Sequence, residues 1–503
     1  MIGLDFSVLA PLGFVALGAM SVLLIEVFLS RSLDPGVSDD KRLATRSRIG
    51  TVLGIVSSVA LVLAIYAASS MFASGVQTSF SQLHPMLQLD SLSTFAIGLI
   101  GLGALLSVWL SLSYLPALHI NYGEYYALLL LSTAGMFVLV SAVDLMALFL
   151  GLELTSIPIY ALVGFNRRKL GSNEAALKYF LLGAFTSAIL LYGMALLYGA
   201  TGHTGFEGIR RGFAAGGALS LSGLALVIAG LAFKIAAVPF HQWTPDVYEG
   251  APTSVTAFMS VTVKTAAFVV LLRFLSLALP EMGDRLPVLL QVLAAITMLL
   301  GNIMAVIQTN VKRMLAYSSI AHAGYFLVAF ATGTPEAWTA LLFYLLVYLF
   351  MNLGAFCVVT ALAQGGSEWE SVDDFSGLAS ERPGLAALMT LFLLSLAGIP
   401  GTAGFMAKFY LFVAAVNADQ IVLVLILAAT SLVSVFYYLK LPVAMYMREP
   451  RNEATAEVSS SELVVLGVCA TAILYFGFFS QSDPLGTGFQ ALEVATRAVA
   501  FLH

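Results

Sequence analysis

Runs of about 20 apolar residues recur along nearly the whole chain, and each is long enough to cross a bilayer as a helix. In lipid every backbone polar group must be hydrogen-bonded within the protein, so such runs form helices. Only 10% of the 503 residues are charged, against roughly 25% in soluble domains. No polar stretch is long enough to build a soluble domain. The sequence therefore predicts an all-α polytopic membrane protein.

About fourteen of these runs can be placed as transmembrane helices. The basic residues support this count, since loops on the inner side of a membrane are enriched in lysine and arginine. With the N-terminus outside, the inner loops hold 13 of these residues, and the outer loops and tail hold 4. An even number of spans then puts both termini outside. The predicted ranges are 8–30, 50–73, 91–113, 124–142, 144–164, 174–200, 221–238, 253–275, 288–308, 313–331, 336–363, 384–416 (interrupted), 420–446 and 461–480.

The stretch 231–268 holds two apolar helices around an interruption at Pro239. Lys234 lies in the middle of the first predicted helix, and Lys264 lies in the second. A lysine inside hydrocarbon costs roughly 3 kcal/mol on insertion scales and usually marks a functional site. A broken membrane helix is tolerated only where protein or water satisfies the freed backbone groups. This stretch therefore predicts a hydrated polar site, with a simple proline kink as the alternative.

A second interruption, GIPGTAG at 398–404, contains Pro400 and is followed by Lys408. It falls in the fourth of five spans counted from residue 288, and the first interruption falls in the fourth of five counted from residue 124. Because five is odd, two such units enter the membrane from opposite sides, which is the pattern of an inverted repeat. The predicted regions are an N-terminal three-helix region at 1–123, repeats at 124–275 and 288–446, and a C-terminal helix and tail at 447–503.

Two charged residues on neighbouring spans, Glu153 and Lys178, are candidates for an ion pair. Each charge favours the ionised form of the other, while burial favours the neutral forms. Such a pair would act as a switch whose separation changes the protonation of a third group. The alternatives are a structural pair for Glu153, and for Lys178 a side chain that reaches the inner interface.

Lys234, Lys264 and Lys408 are predicted to be successive positions of a proton relay. A buried lysine gains a proton when a carboxylate approaches it and releases the proton when the carboxylate withdraws. His322 lies in a further apolar helix and would pass protons between lysines, since histidine exchanges protons near neutral pH. The alternatives are structural ion pairs or carbonyl-bound lysines, and for His322 a plain hydrogen-bonding residue.

The two cysteines, Cys357 and Cys469, lie inside separate apolar spans. They form no Cys-x-x-Cys motif, so a disulfide framework, a zinc site or an iron–sulfur centre is not expected. The sequence predicts no metal site, no cofactor and no redox centre in this chain.

Three motifs resemble one family: FHQWTPDVYEGAPTSVTAF at 240–258, VKRMLAYSSIAHAGY at 311–325 and GIPGTAGFMAKFY at 398–410. The chain resembles the antiporter-like membrane subunits of bacterial proton-pumping NADH:quinone oxidoreductase (respiratory complex I). Among them it is most similar to the subunit N family, because Lys408 stands where the sister M subunit has a glutamate. GIPGTAG departs slightly from the family, which often has a second proline there.

The resemblance implies a fold with two inverted five-helix repeats and the function of a proton-translocating membrane-arm subunit. Carried over to matching positions, Glu153 and Lys178 would be the coupling pair and Lys234 the central lysine of the pump. Lys264 would connect the two halves, and Lys408 would stand toward the outer exit.

The resemblance also implies partners and a location. Flavin and iron–sulfur clusters are expected in partner subunits, and quinone is expected to be used by the complex without binding here. The partners would be the other membrane-arm subunits, including sister antiporter-like subunits, and the lipid bilayer, with no nucleic acid. The chain would lie in the bacterial inner membrane with both termini periplasmic. The alternatives are a subunit of a multi-subunit Na⁺/H⁺ antiporter and a structural scaffold whose lysines form assembly ion pairs.

Overall fold

The computed structural model describes residues 9–30, 39–75, 78–79, 86–279, 285–363, 366–452, 457–480 and 491–500. Within these residues, 13 helices are long and apolar enough to cross a membrane. Two shorter apolar helices occupy the range that was predicted as one interrupted span. The all-α fold and its predicted number of spans are therefore confirmed. The chain termini, 1–8 and 501–503, whose outer position is predicted, lie outside the described residues.

The helices follow the predicted spans closely, and two very short antiparallel strands are the only β-ladder in the described residues. A π-helical segment, Met259–Val263, joins α10 to α11, and a 3₁₀ turn, Val372–Phe375, precedes α15. The elements are α1 Ala10–Ser30, α2 Asp39–Ser74, β1 Thr78–Ser79, β2 Gln88–Leu89, α3 Ser91–Ala117, α4 Gly123–Ser141, α5 Leu145–Val163, α6 Leu170–Thr201, α7 Phe206–Gly212, α8 Gly217–Lys234, α9 Trp243–Gly250, α10 Thr253–Phe258, α11 Lys264–Ala278, α12 Arg285–Val306, α13 Val311–Thr332, α14 Pro335–Ala361, α15 Leu378–Glu381, α16 Pro383–Ala397, α17 Ala403–Asn417, α18 Ile421–Met447, α19 Ser460–Phe479 and α20 Ala491–Val499.

The chain contacts form two compact units, the first comprising Met1–Leu231, Thr262–Pro280 and Ala500–His503. In it α1 to α4 pack together, α5 packs on α4, and α11 packs on α3, α4 and α7. Gly135 lets α4 approach α5 closely, because a Cβ there would lie 2.4 Å from the backbone nitrogen of Thr155. Small residues at such contacts are what lets membrane helices pack backbone against backbone.

The second unit comprises Ala232–Val261 and Glu281–Val499 and is built around α14. This helix packs against α10, α13, α16, α17, α19 and α20. Helices α13 and α14 are buried along their whole apolar windows, whereas those of α12 and α18 are only 39% buried. The second pair therefore presents apolar faces outward, and the polar groups of α13 lie in the protein interior.

The contact grouping separates the two lysines of the first interruption. Lys234 belongs to the second unit, and Lys264 belongs to the first. These two units are not the two predicted repeats, so the inverted repeats and their boundaries stay a prediction.

Candidate functional site

Residues 235–242, between α8 and α9, form the first break. The carbonyl oxygen of Phe233, in the last turn of α8, accepts hydrogen bonds from the backbone N–H of Ala236 at 3.1 Å and from Trp243 Nε1 at 3.0 Å. The backbone N–H of Val238 donates to Thr297 Oγ1 at 3.0 Å. Protein groups therefore satisfy backbone groups that an interrupted helix leaves open, which is the condition for such a break inside a membrane.

Lys234 is the last residue of α8 rather than a residue in its middle, because the helix ends before the predicted boundary at 238. The chain cannot stay helical up to Pro239, since proline lacks an N–H and disfavours helix at the preceding residue. The Lys234 side chain is buried, with Nζ 5.7 Å from the centroid of the Phe233 ring. The partial negative charge at a helix C-terminus favours an ammonium at this position.

Helix α9 is tied to the N-terminal end of α13 by ion pairs. Arg313 Nη1 lies 2.7 Å from Asp246 Oδ1 and 2.8 Å from Glu249 Oε2. Asn310, which caps α13, also donates to Glu249 at 3.4 Å. These side chains are about one-third exposed, so the cluster orients α9 and contributes little to stability.

Lys264 is the first residue of α11 and follows the π-helical segment Met259–Val263 directly. Lys264 is only 4% exposed, and it lies inside an apolar span. π-Helical turns inside longer helices are frequent at functional sites. The structure confirms that this lysine is buried, and its role in the relay stays a prediction.

Residues 398–402, between α16 and α17, form the second break. Gly398 ends α16 with φ 85°, a backbone conformation that favours glycine. Lys408, in the second turn of α17, reaches back across this break, and its Nζ donates to the carbonyl oxygen of Ala397 at 2.8 Å. The same nitrogen lies 5.0 Å from the centroid of the Tyr325 ring. Lys408 is therefore carbonyl-bound, and since a neutral amine also donates, this bond is compatible with proton release.

His322 lies in the fully buried part of α13 and faces two tyrosines. Its Nδ1 is 2.9 Å from Tyr344 Oη, and its Nε2 is 3.3 Å from Tyr438 Oη. Tyr438 Oη is also hydrogen-bonded to Ser318 Oγ. The histidine is thus both hydrogen-bonded and placed in a row of groups that can each exchange a proton.

The structure shows a partner for each member of the predicted coupling pair. Glu153 accepts a hydrogen bond from Ser187, and Lys178 Nζ lies 2.7 Å from Glu174 Oε1, one turn earlier on α6. Lys178 is 43% exposed, and exposed apolar side chains such as Leu181 surround it on α6. The switch role of Glu153 and Lys178 stays a prediction.

One fully buried ion pair escaped the sequence analysis. Arg273 on α11 donates from both terminal nitrogens to Asp90, at 2.7 and 2.8 Å, and both side chains are 0% exposed. Asp90 also caps α3 by accepting from the backbone N–H of Ser93. A sequence signal existed, because an arginine inside an apolar span needs an acid, and Asp90 opens such a span.

Lys312 also departs from the sequence prediction, which placed it in the inner loop between the spans 288–308 and 313–331. It is fully buried, and its Nζ donates to the carbonyl oxygen of Ala251 at 3.0 Å and lies 3.5 Å from Glu368 Oε2. Glu368 also accepts from Thr253 at the start of α10. These contacts tie the segment before α10 to the start of α13, and only the folded chain brings them together.

The part of the chain that the structure describes contains no group of three or more His, Cys, Asp and Glu side chains that could hold a metal ion. Cys357 and Cys469 are both buried free thiols. The expectation of no cofactor in this chain stays a prediction.

Comparisons with known proteins point to one family. The family profile described as "NADH:quinone oxidoreductase/Mrp antiporter, TM" matches residues 142–434. NADH-quinone oxidoreductase subunit N of Trichlorobacter lovleyi is 43% identical over 488 residues, covering 94% of this chain and 96% of that protein. The subunit N of Desulfovibrio desulfuricans is 44% identical over 451 residues, covering 85% and 87%.

Solved structures agree with this result. A chain of respiratory complex I from Thermus thermophilus with bound aureothin is 34% identical, with a TM-score of 0.77 and coverage of 93% and 96%. A chain of the Mrp complex from Dietzia sp. has a TM-score of 0.84 at 23% identity, covering 99% and 98%. The second likeness shows a shared fold alone, so the comparisons favour the quinone oxidoreductase family over the antiporter alternative.

Proposed function

The chain belongs to the subunit N family of NADH-quinone oxidoreductase, and from this premise we propose that titratable residues of its membrane spans form a proton relay across the membrane. It is a membrane-arm subunit of this complex and a multi-pass membrane protein. The relay would comprise Glu153, Lys178, Lys234, Lys264, His322 and Lys408.

One observation carries this proposal. Three lysines in apolar segments, Lys234, Lys264 and Lys408, are each at most 7% exposed, and two of them stand at helix breaks. Burying a lysine is costly, so a membrane protein keeps one only where it is used. Each break supplies backbone carbonyl groups in an otherwise apolar interior, which is where a proton can be held.

The redox energy would come from partner subunits that hold flavin and iron–sulfur clusters, and quinone would be used elsewhere in the complex. The neighbouring partners would be the other membrane-arm subunits, including sister antiporter-like subunits, and lipid. The family implies a bacterial inner-membrane location, and the distribution of basic residues, 13 against 4, supports an orientation with both termini periplasmic. Protons would then enter from the cytoplasmic side and leave near Lys408.

The test replaces Lys234 by alanine in the whole complex, reconstituted in sealed vesicles. We expect normal assembly and a relay step slowed by roughly 10²–10⁴-fold, the usual contribution of a positioned acid–base group. Proton uptake driven by NADH oxidation and the ratio of protons to electrons are measured. Lys234→Arg should also impair uptake, because arginine hardly deprotonates.

Lys440→Ala is the matched control. Lys440 is a lysine of the apolar helix α18 that is only partly buried, and it donates to the carbonyl oxygen of Gln308 at 2.7 Å. The complex with Lys440→Ala should translocate protons like the wild type. If the Lys234→Ala complex assembles and pumps at the wild-type ratio, the relay is wrong and the scaffold alternative is favoured.

A further inference from the structure

Both ring nitrogens of His322 face a tyrosine hydroxyl. Tyr344 on α14 approaches Nδ1 to 2.9 Å, and Tyr438 on α18 approaches Nε2 to 3.3 Å. A neutral imidazole donates from one nitrogen and accepts at the other, and a hydroxyl does both. The two tyrosines can therefore complete the hydrogen bonds of either tautomer of His322.

The row continues beyond Tyr438. Ser318, one helical turn before His322 on α13, is hydrogen-bonded to the same hydroxyl of Tyr438. We call Ser318, Tyr438, His322 and Tyr344 the hydroxyl–imidazole row. All four residues are at most 1% exposed, so protein encloses the row on all sides.

We propose that Tyr438 and Tyr344 are proton-relay groups, which carry protons to and from His322 along the hydroxyl–imidazole row. This inference rests on the proposed function and adds three residues that the relay lacked, the two tyrosines on α14 and α18 and Ser318 on α13, which passes protons to Tyr438. A proton arriving at Ser318 Oγ displaces the serine proton to Tyr438 Oη, and the tyrosine proton passes to His322 Nε2. The Nδ1 proton passes to Tyr344 Oη, whose own proton leaves.

Each group ends neutral with its hydrogen bonds reversed, and one proton has crossed the row. Only O–H and N–H bonds form and break, so no electron changes place. The row can carry the next proton after the hydroxyls rotate and the imidazole ring flips, which turns its protonated nitrogen back toward Tyr344 and its free nitrogen toward Tyr438 without moving a proton back.

The surroundings place the row between the two breaks of the second unit. Next to Ser318, the Ser319 hydroxyl lies 3.5 Å from Tyr248 Oη on α9, the helix that follows the first break. At the other side the Tyr325 ring lies edge-on to the His322 ring, with centroids 5.4 Å apart. That same ring lies under Lys408 Nζ. The row is therefore one aromatic ring away from the lysine of the second break.

A second hydrogen-bonded group near the row does not extend it. Tyr437 donates to Asn302 Oδ1 at 3.2 Å, and Asn302 Nδ2 donates to Tyr325 Oη at 3.2 Å. A side-chain amide has fixed donor and acceptor ends, so protons do not pass through it as they pass through a hydroxyl. We assign these residues to the positioning of the Tyr325 ring.

The test is Tyr438→Phe in the whole complex, which removes one oxygen atom and keeps the ring that packs in the core. We expect normal assembly and proton uptake slowed by roughly tenfold, less than a full acid–base effect because a water molecule can take part of the hydroxyl's place. If Tyr438 is a relay residue, the ratio of the uptake rate in H₂O to the rate in D₂O should also be larger for the variant than for the wild type.

Tyr125→Phe is the matched control. Tyr125 is another fully buried tyrosine whose hydroxyl lies 2.9 Å from a serine oxygen, that of Ser111, but it belongs to the first unit. Its removal should leave the uptake rate and the isotope ratio unchanged. If Tyr438→Phe prevents assembly, Tyr344→Phe replaces it, with the same expected result.

The outcomes separate this inference from the proposed function. The proposal that the row carries protons is wrong if Tyr438→Phe takes up protons at the wild-type rate, or more slowly with an unchanged isotope ratio. In either case a defect in Lys234→Ala would still support the proposed relay of lysines. If Lys234→Ala also pumps normally, the proposed function itself is wrong. A slowed Tyr438→Phe with a raised isotope ratio supports both.

Discussion

The two breaks satisfy freed backbone groups with different side chains. At the first break the carbonyl of Phe233 accepts from the indole of Trp243, a group that keeps its proton. At the second break the carbonyl of Ala397 accepts from Lys408, a residue of the proposed relay. We infer that a change at Lys408 acts directly on the backbone of the second break, whose carbonyl it holds.

Gly404, in the first turn of α17, lies against the end of α16 beside the second break, and Gly404→Ala would test this close packing with the largest expected effect. A Cβ on Gly404 would lie 1.8 Å from the backbone oxygen of Ser395, a contact that no side-chain rotation relieves. We expect the free energy of unfolding to fall by about 3 kcal/mol or more. The measurement is the amount of assembled complex and its thermal unfolding midpoint.

Gly384→Ala on α16 is the control for this prediction, because a Cβ there meets no atom within 4 Å. It should assemble like the wild type. Normal assembly of Gly404→Ala would mean that α16 and α17 are not closely packed beside the second break, which would then be as loose as a simple kink.

Lys408→Met would separate the two breaks by their dynamics. Removing a hydrogen bond from a charged donor costs about 1.5 kcal/mol or more, so amide exchange in 398–404 should be roughly tenfold faster. Exchange in 235–242 should stay unchanged in this variant, because Trp243, and not Lys408, donates to the carbonyl of Phe233. Hydrogen–deuterium exchange of the two segments is the measurement.

Trp243→Phe supplies the complementary control. It removes the indole N–H while keeping an aromatic ring, and exchange near the first break should then rise while the second is unaffected. Equal responses of both breaks to Lys408→Met would show that the two breaks do not differ in what holds their backbone.

Arg313→Gln is expected to have the smallest effect. Its ion pairs with Asp246 and Glu249 are about one-third exposed, so their loss should cost less than about 1 kcal/mol and less still at high salt. Exchange in α9 should rise slightly, and exchange in 398–404 should not change. A loss of assembly would instead show that this cluster, rather than the indole of Trp243, holds the first break.

The sequence was sufficient to predict the spans, both interruptions and the three buried lysines. Hydropathy, proline and glycine act on the chain locally, so their effect is readable from neighbouring residues. One boundary was wrong for a local reason as well, since the helix before Pro239 ends at Lys234 and not at 238. That shift moves Lys234 from the middle of a helix to its C-terminal end.

The partners of the charged residues could not be predicted in the same way. Asp90 and Arg273 are 183 positions apart, and no local pattern links them. Lys312 was counted as a loop residue, yet it is buried against Glu368 and Ala251. Hydrogen bonds act over about 3 Å, so they depend on how helices pack rather than on the order of residues.

The sequence by itself determined that the chain spans a membrane, where its helices break and which buried residues can ionise, because these follow from the cost of polar groups in lipid. Only the tertiary structure decided what each ionisable group touches. It bound Lys408 to a carbonyl, set Glu153 beside Ser187, and placed His322 between Tyr344 and Tyr438. The physical reason is that these partners lie on different helices, so the packing of the helices brings them within hydrogen-bonding distance.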